Sequence, residues 1–242
     1  MAVDESLLEG ARAGRVTLRL YGWEPGCLSF GRNQTARGRY DGARATREGI
    51  DVVRRPTGGR SVFHHREVTY SVTAPAEAWG GLRPAYLKIN RALAAGLRAL
   101  GVPAEVVETR GSTPAPRPTV RACFRDPLPG EVVAGGRKLI GSAQWRDGEA
   151  LLQHGSLLLH NDQSRVEEMR SGGPGRADVP ATCLADLLDP LPDIDEIVDA
   201  LAASFSNELG MEETRQEISS AERHAAEATQ EKYMDDEWTW RR

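Results

Sequence analysis

A short strand that runs into two consecutive glycines held between arginines constrains this 242-residue chain more than any other feature. The run is Val52-Val53-Arg54-Arg55-Pro56-Thr57-Gly58-Gly59-Arg60-Ser61-Val62-Phe63-His64. Glycine lacks a Cβ, so Gly58 and Gly59 can take left-handed backbone angles and let a small ligand approach the peptide N–H groups closely. Arg54, Arg55 and Arg60 add fixed positive charge around them. Taken alone, the run is equally compatible with a surface hairpin turn carrying incidental arginines.

Around that turn the patterning is that of an α+β chain. Residues 1–11 read as a short helix, residues 16–23 alternate as a half-buried strand, and another strand follows Pro25-Gly26. In Glu67-Val68-Thr69-Tyr70-Ser71-Val72 the apolar residues occupy one strand face and the polar residues the other. Tyr86, Ile89, Leu93, Leu97 and Leu100 recur at helical spacing before Gly101 and Pro103, predicting a core-facing helix. Residues 131–134, 139–145 and 150–159 read as adjacent strands, with hairpin turns at Gly135-Gly136 and Asp147-Gly148. An amphipathic helix is marked by Ile194, Ile197, Val198, Leu201, Phe205 and Leu209, and a charged helix covers about 219–232. Residues 109–121 and the run Ser171-Gly172-Gly173-Pro174-Gly175 read as mobile connectors. The expectation is a single domain over 1–242, a mixed, largely antiparallel sheet with helices packed mainly on one face.

The net charge of -4 gives no global basic footprint, which argues against nucleic acid as the main partner. No window approaches the ~18 consecutive apolar residues of a membrane span, and the start lacks the charged and then apolar pattern of a secretory signal, so a cytoplasmic protein with no membrane partner is expected. Cys27, Cys123 and Cys183 are odd in number and widely separated, as suits reduced thiols. No Cys-x-x-Cys or His-rich pair suggests zinc, and no metal is expected. Gly135-Gly136-Arg137-Lys138 does not supply the G-x-G-x-x-G turn of a dinucleotide fold.

A second run, Lys138-Leu139-Ile140-Gly141-Ser142-Ala143-Gln144 followed by Leu151-Leu152-Gln153-His154-Gly155-Ser156, sharpens the reading. With the glycine loop it resembles the lipoate-protein ligase and octanoyltransferase family. That family carries an R-R-x-[ST]-G-G-[GR] loop, a G-[RK]-K-[IVL]-x-G-S-A-Q strand and an L-Q-H-G-S strand in this order. The likeness runs from Asp4-Glu5-Ser6-Leu7-Leu8 through Leu28-Ser29-Phe30-Gly31-Arg32-Asn33-Gln34 to Asp236-Glu237-Trp238, nearly the whole chain. It implies a fold related to the catalytic domains of biotin ligases and class II aminoacyl-tRNA synthetases.

The resemblance also implies roles. Cys123-Phe124-Arg125-Asp126-Pro127 matches the C-F-x-x-P motif of the cysteine-dependent, ligase-like octanoyltransferases, which makes Cys123 the expected acyl-accepting nucleophile. A free thiol is only a few per cent ionised at neutral pH, and Lys138, Arg121 or Arg125 would favour the thiolate. Lys138 matches the family's lysine at the acyl carbonyl, where an ammonium can hydrogen-bond a developing oxyanion. Arg54, Arg55, Thr57, Gly58, Gly59, Arg60, Gly141, Ser142, Ala143, His154 and Gly155 are the expected substrate-binding residues. Small residues at 141–143 would leave width for an alkyl chain. His154 is a possible base or a structural histidine, and Cys27 and Cys183 are expected to be packing residues.

The implied reaction moves an octanoyl group from acyl carrier protein to a lysine of a lipoyl-accepting protein such as the glycine-cleavage H protein, with no cofactor. An amidotransferase between lipoyl domains is a close variant. A ligase that activates free lipoate with ATP and Mg²⁺ would give Cys123 no chemical task. A non-catalytic acyl-carrier-binding domain is the reading from another class. The chain departs from the family at His65, where aspartate is usual, and at Leu128 and Gly130 within Pro127-Leu128-Pro129-Gly130-Glu131, where Pro-Ser-x-Tyr-Glu is common.

Overall fold

A computed structural model describes residues 1–107, 124, 127–172, 180–212 and 214–242. The loop expected over 109–121, the motif residues Arg121, Cys123 and Arg125, and all but the first two residues of the 171–175 connector lie outside the described residues.

Two short helices open the chain, α1 (Ala2–Ser6) and α2 (Leu8–Arg12), joined by Leu7, which keeps right-handed helical angles. Strands β1 (Thr17–Tyr21) and β2 (Cys27–Phe30) follow. Helix α3 (Gly42–Arg47) begins where the Asp41 side chain accepts the Arg44 N–H, a side-chain cap for an otherwise orphaned donor. Strands β3 (Asp51–Arg54) and β4 (Val62–His64) flank the glycine loop, and β5 (Glu67–Pro75) leads toward α4 (Leu82–Ala99). The predicted apolar stripe of α4 is buried at Ile89, Leu93 and Leu97. Beyond it come β6 (Ala104–Val106), β7 (Val132–Ala134), β8 (Arg137–Lys138), β9 (Ile140–Asp147) and β10 (Ala150–Leu158). The last segments are α5 (Ser164–Glu168), α6 (Ile194–Leu209), α7 (Ser220–Met234) and α8 (Asp236–Thr239). A reciprocal Ser219–Glu222 capping box starts α7.

The strands form three small sheets among the described residues. The main one has the order β1-β5-β10-β9, antiparallel throughout. A second has the order β3-β2-β4, with β3 parallel and β4 antiparallel to β2. The third is β6-β7-β8, whose β7–β8 hairpin turns at Gly135-Gly136, both at positive φ (55° and 72°) as a two-residue turn of this hand requires. The segment at 131–134 therefore does not extend the β9–β10 ladder. The Leu139 N–H still donates to the Val132 carbonyl, and then β9 departs into the main sheet.

The main sheet separates two unlike layers. On one face Val68, Tyr70, Val72, Ile140 and Leu157 form a core with α4 and α6. The other face carries Glu67, Thr69, Ser71, His154 and Ser156, and it is as buried as the first. Asp4 of α1, the apolar face of α2 and the β3-β2-β4 sheet cover it. The helices are thus divided, the two longest on the apolar face and α1 and α2 on the polar one. The alternation in β5 marks two different interiors, not an inside and an outside. Among the described residues no helix is long and apolar enough to cross a membrane.

Candidate active site

Strand register brings one residue from each strand of the main sheet into a single row: Tyr21 opposite Thr69, Thr69 opposite Ser156, and Ser156 opposite Gly141. This row floors a narrow cavity of about 30 Å³, which also meets Ala143 and His154 in the next row. Arg55, Val62 and His64 roof it from the second sheet, and Trp23 stands near its β1 side.

Two parallel hydrogen-bonded arrays cross the polar layer. In the first, the Ser29 hydroxyl lies 2.7 Å from His64 Nε2, and His64 Nδ1 lies 2.8 Å from Glu67 Oε1. Arg55 donates to Ser29 Oγ at 2.9 Å, and the Glu67 carboxylate, which only accepts, takes the Nδ1–H of His64. In the second, Thr57 Oγ1 lies 2.6 Å from His154 Nε2, and His154 Nδ1 faces Asp4 Oδ2 at 3.7 Å, an ion-pair distance rather than a hydrogen bond. Asp4 also accepts from Arg19, the Tyr21 hydroxyl and Ser71. Burial would raise the Asp4 pKa, but His154, the N-terminal ammonium and Arg19 outweigh it and hold the carboxyl far below its ordinary value. Burial lowers the His154 pKa against the opposing pull of Asp4, so the ring is held neutral. Ser29 is fully buried and does not line the cavity, so the first array orients the His64 ring rather than presenting a nucleophile.

At the β9 end of the row, Phe124 packs on Gly141. A Cβ there would meet the Phe124 ring at 2.9 Å, so only glycine admits this ring. Lys138 Nζ lies 5.4 Å from the Phe124 ring centre and donates to Glu131 Oε1 at 2.7 Å, both side chains withdrawn from solvent. Glu131 also accepts the Leu128 N–H. The residue before Phe124, Cys123, lies outside the described residues.

Of the residues singled out in the sequence, Arg55, Gly141, Ser142, Ala143, His154 and Gly155 line the cavity together. Thr57 stands one hydrogen bond behind it through His154. Gly58 and Arg60 give their carbonyls to the Arg55 guanidinium, at 3.0 and 2.5 Å, so the loop is folded around that arginine. Gly59 is exposed at positive φ on the loop's outer turn. Arg54 is fully buried away from the cavity, donating to the carbonyls of Gly31, Gln34 and Thr239. Cys27 and Cys183 are buried in apolar clusters, and burial pushes both thiols up in pKa. Among the described residues no group of three or more acidic, histidine or cysteine side chains is arranged to hold a metal. His65 points outward to Asp162, Leu128 is exposed, and the Gly130 carbonyl accepts from Asn90. Reading residues one by one did not reveal Asp4, Ser29, His64 or Glu67 as members of the site. The signal for Glu67 was the polar half of the β5 alternation, and for His64 its place at the end of the glycine-loop run.

This fold is that of the lipoate-protein ligases. A solved lipoate-protein ligase A bound with ATP superposes with a TM-score of 0.80 at 24% identity, covering 99% of this chain and 92% of that one. A putative lipoate protein ligase from T. acidophilum with bound lipoic acid superposes at 0.78, also 24% identical, covering 99% and 92%. Residues 1–206 match the family described as the lipoyl protein ligase A/B catalytic domain, and the chain belongs to that family. Among its relatives are proteins named octanoyltransferase LipM. That of Kyrpidia tusciae is 38% identical over all of this chain and 94% of its own length. That of Staphylococcus aureus is 33% identical, again over all of this chain and 94% of its own length.

Proposed function

We propose that the protein is an octanoyltransferase of lipoate biosynthesis that takes an octanoyl group from acyl carrier protein and delivers it to a lysine of a lipoyl-accepting protein in the cytoplasm. The observation that carries the reading is the cavity laid across four strands, ending at Gly141, on which Phe124 packs beside Lys138. Full-length similarity to proteins named octanoyltransferase supports it. Burying the six methylenes of an octanoyl chain would contribute at most about 5 kcal/mol.

The reaction has two displacements. The Cys123 thiolate attacks the carrier thioester carbonyl, the carrier sulfur leaves as a thiolate that takes up a proton, and a new thioester remains on Cys123. The acceptor lysine, as free amine, then attacks that carbonyl, the amide forms, and Cys123 leaves as thiolate while the amine loses its proton to solvent. In both steps negative charge develops on the carbonyl oxygen, where the Lys138 ammonium is the available donor. Binding the chain in a dry cavity holds the carbonyl at the attacking atom. No cofactor or metal enters this scheme.

Intact-protein mass spectrometry of the chain mixed with octanoyl-acyl carrier protein, without ATP, tests it. The expected result is a single octanoyl adduct on the wild type that Cys123→Ala abolishes. Acylation of a lipoyl domain that requires ATP and survives Cys123→Ala would instead establish the ligase chemistry.

A further inference from the structure

We propose that Trp23 is the length gauge of the acyl cavity, an inference that rests on the octanoyltransferase reading and specifies its substrate. Register fixes the direction of the cavity. Its floor runs perpendicular to the strands, from Gly141 on β9 through Ser156 on β10 and Thr69 on β5 to Tyr21 on β1. The oxyanion role proposed for Lys138, which lies 5.4 Å from the Phe124 ring packed on Gly141, makes the β9 end the carbonyl end. Neighbouring strands are about 4.8 Å apart, so Gly141 to Thr69 is two spacings, or about 10 Å. Seven carbon–carbon bonds of an extended octanoyl chain, each advancing about 1.25 Å, reach about 9 Å. The terminal methyl therefore arrives over Thr69.

Trp23 is fixed there by two contacts. Its indole N–H donates to Thr69 Oγ1 at 2.7 Å, and its ring stacks on His64 with centroids 4.6 Å apart and 20° between planes. The polar groups around it are turned toward one another. Thr69 donates onward to Glu67, Ser156 donates to the same carboxylate oxygen, and His64 is held between Ser29 and Glu67. What remains facing a methyl group is ring face and methyl surface. A chain longer by two carbons would have to displace the indole, breaking a half-buried hydrogen bond and an aromatic stack together.

The test is a competition in which octanoyl-, decanoyl- and dodecanoyl-acyl carrier protein are offered together to wild type, Trp23→Ala and Trp23→Phe, with the acylated lipoyl domain read by mass. Each further methylene buried is worth about fourfold. Trp23→Ala is expected to raise the decanoyl-to-octanoyl product ratio at least tenfold. Trp23→Phe, which keeps an aromatic ring but loses the N–H and the second ring, is expected to raise it about fourfold, and it decides the matter if the alanine variant does not fold. Wild type that transfers octanoyl while both folded variants keep its product ratio would overturn the gauge alone. Wild type that transfers no acyl chain from any carrier would overturn the octanoyltransferase reading and the gauge with it.

Discussion

The Lys138 ammonium and the Glu131 carboxylate form a hydrogen-bonded ion pair of 2.7 Å, with side chains only 1% and 5% exposed. They stand seven positions apart across the β7–β8 hairpin, so the turn at Gly135-Gly136 is what lays the lysine against the carboxylate. A buried charge is tolerated when paired, and removing its partner costs about 3 kcal/mol or more.

This pairing separates a chemical role for the lysine from a structural one. Lys138→Ala is expected to lower kcat by a hundredfold or more, about the loss of one preorganised oxyanion donor. Glu131→Gln, which keeps an acceptor near Nζ, is expected to retain much more activity while lowering thermal stability. Paired kcat and melting measurements check both, and equal kcat losses in the two variants would assign the pair to folding alone.

Asp4 and His154 make stability depend on pH in the same sense. The Asp4 pKa is below its ordinary 3.8, so its contribution is present above that value and disappears as the pH falls. The His154 pKa is below its ordinary 6.5, so the unfolded chain binds the extra proton first and stability falls as the pH drops below about 6.5. Melting temperature should decline from pH 7 to pH 5 and again below pH 4. His154→Gln should flatten the first decline and leave the second.

Glu67 gathers three donors on one oxygen, from His64, Thr69 and Ser156, at 2.8, 2.5 and 2.8 Å. Its Oε2 is buried with no hydrogen-bond partner among the described residues. Glu67→Ala would leave all three donors facing a void and is expected to cost at least about 3 kcal/mol in urea unfolding. A cost under about 1 kcal/mol would mean that solvent enters the layer.

Arg54 offers a contrast with Arg55. Its guanidinium joins residues 31–34 to the last helix, and the Trp238 indole N–H donates back to the Arg54 carbonyl. Burial lowers its pKa to about 10, which still leaves it charged at neutral pH. Arg54→Met is expected to destabilise the fold by about 3 kcal/mol through lost charge-assisted bonds. The KM for acyl donor should stay within about twofold, because the side chain does not reach the cavity.

Gly141→Val would drive two methyl groups into the contact with Phe124 and narrow the cavity at its carbonyl end. Overpacking of this kind costs about 1–3 kcal/mol. Acyl-enzyme formation, read by intact mass, should fall by more than the folded fraction does.

Much of the architecture was legible locally. The α4 and α6 stripes, the β9–β10 hairpin and the glycine pair at 135–136 each follow from periodicity or turn chemistry within a dozen residues. The arginines of the glycine loop were not legible in this way. Arg54 and Arg55 are adjacent at the end of β3, and only the packing shows that one anchors the C-terminal segment and the other roofs the cavity.

The sequence by itself determined the longer helices, the β7–β8 and β9–β10 hairpins, and the motifs that name the family, because these depend on neighbours within a few residues. The tertiary structure alone decided that the polar face of β5 is an interior. Asp4, Ser29, His64, Glu67 and His154 are scattered over 150 positions, and no local rule relates them. They meet because antiparallel register puts Ser71 beside His154 and Thr69 beside Ser156, and because a second sheet and an N-terminal helix close over them. A buried polar group is stable only when its partners arrive from elsewhere in the chain, so its role is written in the packing.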